Sequence, residues 1–133
     1  DIDGDGRPDR LIPSGIVWMQ GESDALHTEE VALQYYTNLK RLMDLIRAAL
    51  HKDDLPVVIG KISDSGMNKE GKMWKYGELV QYAQEKYTSV DKNAAIVRDT
   101  KDYGYTDGAH YNSAGYISLG ESFASLLYEL NNE

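Results

Sequence analysis

Apolar residues recur along this chain in two rhythms. Gly15–Gln20 (GIVWMQ), Pro56–Ile62 (PVVIGKI) and Ala94–Arg98 (AAIVR) are short β-branched and apolar runs bounded by Gly, Pro or polar residues. Each reads as a buried strand, and a proline is tolerated where the second one opens. Between the first two runs, Tyr35, Leu39, Leu42, Ile46 and Leu50 follow one another at spacings of three and four, which predicts one face of a long helix over Thr28–His51. A second helix is predicted over Met73–Lys86 with Leu79, Tyr82 and Ala83 inward. A third is capped by Asn112 or Ser113 and runs to about Leu130. Ser63–Gly71 and Asp99–Tyr111 are polar, glycine-containing and read as loops.

The order is strand, helix, strand, helix, strand, helix. Such alternation predicts an α/β fold with a parallel sheet and helices on its faces. Three strands make a narrow sheet, and a parallel sheet needs both faces covered and its edges managed. One or two further strands upstream are therefore expected. The first 13 residues differ in composition from the rest, so the chain divides into an acidic opening, 1–13, and a folded portion, 14–133.

Composition narrows the function classes. The formal charge is −8 over 133 residues and no cluster of Lys and Arg is present, which argues against nucleic acid or an anionic membrane as partner. Absence of cysteine excludes disulfides and thiolate metal sites. No apolar run approaches the roughly 20 residues needed to span a bilayer. The chain opens on Asp1 rather than Met, which again suggests a preceding segment.

Two segments follow strands, where loops converge in open α/β sheets. They are Trp18-Met19-Gln20-Gly21-Glu22-Ser23-Asp24 and Asp107-Gly108-Ala109-His110. Acyl transfer needs a base titrating near neutrality, a carboxylate to orient it, and donors for the developing oxyanion. His110 supplies an imidazole. Asp107, three residues earlier, and Glu22, from the neighbouring strand end, are both candidates to orient it. Gln20 offers a side-chain amide, and Gly21 an accessible backbone N–H. Each feature alone has an ordinary reading: a capping Asp in a surface turn, an acidic helix start, Trp18 as core packing, and His27 and His51 as solvated helix ends. Tyr103, Tyr105 and Tyr111 flank the histidine and serve equally as sugar-stacking faces or as loop packing.

Taken together and in this order, the two segments resemble a known family. WMQGESD is similar to the W-x-Q-G-E-x-D block, and DGAHYNSAGYISLGESFA to the closing D-x-x-H block, of sialate O-acetylesterase-like and acetylxylan esterase proteins (carbohydrate esterase family six and relatives). The resemblance covers about Ser14 to Leu127. It implies a three-layer α/β/α, flavodoxin-like SGNH (GDSL-like) hydrolase fold that removes acetyl groups from sugar hydroxyls without a catalytic metal. Within it, His110 would be the general base, Asp107 or Glu22 its orienter, and Gln20 a contributor to the oxyanion hole. The expected partner is an acetylated carbohydrate.

The departure from the family is equally specific. Its nucleophile lies in an N-terminal G-Q-S-N-like block, and a glycine of a second block assists the oxyanion; neither is present. Ser65-Gly66-Met67-Asn68 bears a faint likeness to the first but follows the wrong strand. Ser23 lacks the glycine-flanked elbow that exposes a nucleophile. The sequence therefore leads to two expectations: an esterase whose serine comes from an N-terminal segment of the same protein, or a non-catalytic domain that binds glycan or calcium. A flavodoxin-like binding module is disfavoured, because no Gly-rich phosphate loop follows a strand.

Asp1-Ile2-Asp3-Gly4-Asp5-Gly6-Arg7-Pro8-Asp9 is the remaining feature. Oxygen donors at alternate positions with glycine at the turns suit a hard cation such as Ca²⁺. Ile12 in place of a twelfth-position Glu argues against an EF-hand. Asp1, Asp3, Asp5 and Asp9 are the expected ligands of a structural, non-catalytic ion. A calcium loop and polysaccharide chemistry together point to the periplasm or the outside of a cell.

Overall fold

The computed structural model describes residues 1–132. Three parallel strands, β1 (Ile16–Met19), β2 (Val57–Gly60) and β3 (Ala94–Val97), lie in the order β1-β2-β3. Register is continuous across them, Ile16 opposite Val57 and Val57 opposite Ala94. The helices are α1 (Glu22–Leu26), α2 (Glu29–Ala49), α3 (Gly77–Val90) and α4 (Ser113–Leu130), with a 3₁₀ turn over Asp99–Asp102.

The three strands are those the sequence predicts, each trimmed by one to three residues. Alternation along β2 builds the layers. Val57 and Ile59 face the core made with α2 and α3, whereas Val58 faces α4 together with Val97 and Leu119. All three β2 residues are fully buried, worth about 1.5–3 kcal/mol each by transfer. Both crossovers run the same way along the sheet, so α2 and α3 share a face. α4 follows the last strand and covers the other face.

Two of the helices, α2 and α4, begin at side-chain caps. Thr28 Oγ1 accepts from the Val31 amide at 3.2 Å, and Asn112 Oδ1 from the Gly115 amide at 2.9 Å. Three expectations are corrected. Leu50 and Tyr82 are 43% and 70% exposed, not inward. Leu50 is the C-terminal cap, where the helix has already turned away from the sheet; Tyr82 sits between the inward Val80 and Ala83 on the solvent side. The second long helix begins at Gly77 rather than Met73. The 3₁₀ turn lies in the Asp99–Tyr111 segment that reads as a loop, and α1 has no counterpart among the predicted helices; both are too short to show a period.

At the amino ends of the strands the sheet is closed by a buried ion pair. Arg47 Nη1 meets Asp91 Oδ2 at 2.5 Å, Arg47 Nε donates to the Leu55 carbonyl at 3.0 Å, and Tyr87 OH donates to the same carboxylate at 3.0 Å. The candidate chemistry lies at the opposite, carboxyl end. No helix among the described residues is long and apolar enough to cross a membrane.

Candidate active site

His110 stands on a small hairpin. Tyr105 and Tyr111 form an isolated antiparallel bridge, the Thr106 amide donates to the His110 carbonyl at 2.8 Å, and the Asn112 amide donates to the Gly104 carbonyl at 2.8 Å. Asp107 organises the tip. Its Oδ1 accepts the Ala109 and His110 amides, each at 2.8 Å, and its Oδ2 lies 2.9 Å from His110 Nδ1. Those amides and the imidazole hold the Asp107 carboxyl down at about 2, the Ala109 amide contributing most. An ionised Asp107 favours the proton of His110 on Nδ1, which leaves the Nε2 lone pair free to accept a hydrogen bond or a proton.

The imidazole lines a cavity of about 470 Å³ with Glu22, Ser23, Trp74, Tyr116 and Leu119. Structure thus brings His110, Asp107 and Glu22 to one place. Only Asp107 bonds the histidine; Glu22 shares the cavity wall without a hydrogen bond to it among the described residues. Ser23 lies on the first turn of α1 beside Glu22 and likewise makes no bond with His110.

The Gln20 side chain is elsewhere, contrary to expectation. Gln20 continues the alternation of Ile16 and Trp18, so it faces the α2 side while Met19 faces the His110 cavity. Its Nε2 donates to Asp24 Oδ2 at 2.8 Å, one helical turn on, and it lines a second cavity of about 400 Å³ with Trp18, Tyr35 and Leu39. Gly21 is held strictly. Its φ is +142°, and a Cβ there would lie 2.7 Å from Val80 Cγ1. The preceding carbonyl, of Gln20, accepts Tyr35 OH at 2.6 Å and Gln84 Nε2 at 3.0 Å. A trans peptide points its N–H opposite to its C=O, so these two bonds also fix the direction of the Gly21 N–H.

Burial pushes the Tyr35 phenol up to about 12, so it remains a donor at any working pH. Sequence reasoning missed Gln84 and Tyr35 in this role: on a helix, a glutamine reads as surface and a tyrosine as core. It also missed the Ser63-Asp64-Ser65 segment, which touches the His110 hairpin. The hairpin tyrosines pack on one another, with Tyr103 and Tyr105 half-buried and Tyr111 buried at the wall of the His110 cavity. Tyr111 is 6% exposed, its ring 5.5 Å from Tyr103 and 4.9 Å from Tyr105.

In the opening segment, Asp1, Asp3 and Asp5 each place a carboxylate oxygen within 4.8 Å of the others. Asp9 is not in that group, a correction to the expected four-ligand set. Its Oδ2 instead bonds the Ile2 amide.

Comparison with known proteins settles the family. The profile described as "Carbohydrate esterase, sialic acid-specific acetylesterase" matches residues 10–129. The chain belongs to that carbohydrate esterase family. Among solved structures it is similar to a protein from Arabidopsis thaliana, with 26% identity and a TM-score of 0.73, over 87% of this chain and 44% of that one. It is also similar in fold to a carbohydrate acetylesterase from Xanthomonas citri, with 20% identity and a TM-score of 0.67, over 90% of this chain and 26% of that one. The chain therefore spans less than half of either solved relative. No curated protein matches it. The α/β sheet with flanking helices is that of the SGNH-like esterase family, as the two motif blocks imply.

Proposed function

We propose that this chain carries the histidine–carboxylate half of a serine-dependent carbohydrate O-acetylesterase. The observation that carries the reading is the 2.9 Å contact of His110 Nδ1 with Asp107, at the carboxyl end of the sheet and on the wall of an open cavity. In this reading His110 Nε2 takes the proton of a serine hydroxyl as its oxygen attacks the acetyl carbonyl. The imidazolium then returns that proton to the departing sugar oxygen, and water repeats the sequence on the acetyl-serine. The Gly21 N–H is a donor for the oxyanion. Gln20 joins it only if its amide leaves Asp24.

The serine is proposed to come from an upstream segment of the same polypeptide. Two observations support this. Among the described residues β1 pairs with β2 alone, and an unpaired strand edge is a template for another strand. The cavity beside that edge is lined by Trp18, Leu39 and Leu42, apolar surface that a further element would cover. The substrate proposed is an acetylated carbohydrate.

Labelling with a fluorophosphonate, followed by intact-mass spectrometry, tests the assignment. A label on an upstream segment, lost in His110→Ala, is the expected result. A label on Ser23 would relocate the nucleophile to α1. Absence of any label and of turnover in the intact protein would leave a glycan- or calcium-binding domain.

For the opening segment we propose a structural Ca²⁺ held by Asp1, Asp3 and Asp5. All three donors are hard oxygens, and each carboxylate spends one oxygen on a nearby amide while keeping the other. A thermal midpoint equal in calcium and in chelator would refute it.

A further inference from the structure

The bonds between Asp107 and His110 are internal to one turn of chain. They set the ring relative to its own hairpin, but not the hairpin relative to the cavity. That second task falls to the segment leaving β2. Ser63 is buried, and its hydroxyl lies 3.0 Å from the Thr100 carbonyl, 2.6 Å from Tyr105 OH and 2.7 Å from Tyr111 OH. A serine hydroxyl has one proton and two lone pairs. With its proton on the Thr100 carbonyl, both phenols must donate to it, and the two arms of the hairpin are tied to one atom.

Two residues on, Ser65 Oγ donates to the Gly108 carbonyl at 2.7 Å, at the tip between Asp107 and His110. Asp64 between them accepts the Met73 amide at 3.0 Å and the Trp74 amide at 2.8 Å, which folds the loop back over the tip. Met73 then abuts Gly108 so closely that a Cβ there would lie 2.9 Å from its Cε. Trp74, whose indole donates to the Ser63 carbonyl at 2.9 Å, becomes a wall of the His110 cavity.

We infer that Ser63 and Ser65 are positioning residues, which hold the base and the tip of the His110 hairpin and so fix where the imidazole stands in the cavity. The inference rests on the esterase reading for its kinetic consequence, and on geometry alone for its structural one. It also gives the Ser65-Gly66-Met67-Asn68 segment a role other than that of nucleophile: the Ser65 hydroxyl is committed as a donor to a carbonyl.

Ser65→Ala in the intact enzyme is the discriminating variant, because Ser65 is only partly buried and the fold keeps its Ser63 anchor. Its kcat is expected to fall ~10- to 100-fold, as a small misplacement of a catalytic group does, with KM within ~3-fold. Ser65→Thr, which retains the hydroxyl, is expected to recover most of that loss. Amide exchange followed by NMR gives a readout free of catalysis. Protection of the Ala109 and His110 amides should drop ~10-fold in Ser65→Ala and return in Ser65→Thr.

A kcat within ~2-fold of the parent in Ser65→Ala, with intact amide protection, overturns the inference; so does an equal loss in Ser65→Thr. Full activity in His110→Ala would instead overturn the esterase reading, and the exchange measurement would still decide the tether.

Discussion

His110 Nδ1 lies 2.9 Å from Asp107 Oδ2 within a single turn of chain, while Glu22 reaches the same cavity from a different strand end with no hydrogen bond to the imidazole among the described residues. Two carboxylates near one histidine thus differ in kind. Asp107 is bonded to the ring and to two amides of its own turn; Glu22 lines the cavity.

The roles separate on substitution. Asp107→Asn keeps the shape of the turn but replaces a carboxylate by an amide that no longer favours the Nδ1–H tautomer. In the intact enzyme kcat should drop about 10³- to 10⁴-fold. Glu22→Gln should cost less than about 10-fold, because no bond to the base is removed. Steady-state kinetics on an acetylated sugar reads both. The reverse ranking would make Glu22 the orienter.

The acid behaviour of Asp107 follows from its depressed pKa. With the folded value at about 2, below the usual carboxylate range, its bonds are fully present above the unfolded value and are lost only as pH falls through about 2. Protonation of Asp107 therefore does not limit kcat at any pH more than about two units above that value. An acid limb should persist in Asp107→Asn at reduced height. Disappearance of that limb in the variant would show that Asp107 itself was titrating.

Gln84 is the residue the sequence concealed most fully. It is 0% exposed, takes the Ile62 amide on Oε1 at 3.0 Å and gives Nε2 to the Gln20 carbonyl, joining the carboxyl ends of β1 and β2. Gln84→Met fills the volume but leaves the Ile62 N–H unpaired, a cost of about 1–3 kcal/mol. Urea unfolding should show that loss. The Gly21 N–H would also lose one of the two bonds that aim it, so kcat should fall with KM little changed. A variant as stable and as active as the parent would remove Gln84 from the site.

How much was legible follows from which physics is local. The α2 stripe through Tyr35 and Leu39 could be read because a helical period repeats over 21 residues; α1, five residues long, offers no period. The closing motif block was legible because Asp107 and His110 are neighbours in sequence. The tie of Ser63 to Tyr105 and Tyr111 spans 42 and 48 residues, and no spacing rule connects them. Likewise Gln20 was placed in the site by its block. Strand parity and the nearby Asp24 carboxylate turned its side chain to the other face.

The buried pair at the far end of the sheet provides a test of stability. Arg47 and Asp91 have side chains 9% and 16% exposed, and each is held by further bonds, to the Leu55 carbonyl and to Tyr87 and the Asn93 amide. Burial pushes the Asp91 carboxyl upward, but the Arg47 bond, the Asn93 amide and the Tyr87 phenol outweigh it and hold it below its ordinary value. Arg47→Met strands that carboxylate, and the expected destabilisation at pH 7 is about 3–5 kcal/mol. The sign of the pH dependence follows from the depressed pKa. Asp91 stabilises the native state above its unfolded value of about 3.9, and the contribution is lost as pH falls through its lower folded value. The parent therefore loses on acidification what Arg47→Met has already lost at neutral pH. Denaturant midpoints of the two proteins should stand far apart at neutral pH and converge toward pH 3, a point about one unit below the unfolded carboxylate value. A constant gap would mean that Arg47 contributes through packing rather than through its charge on Asp91.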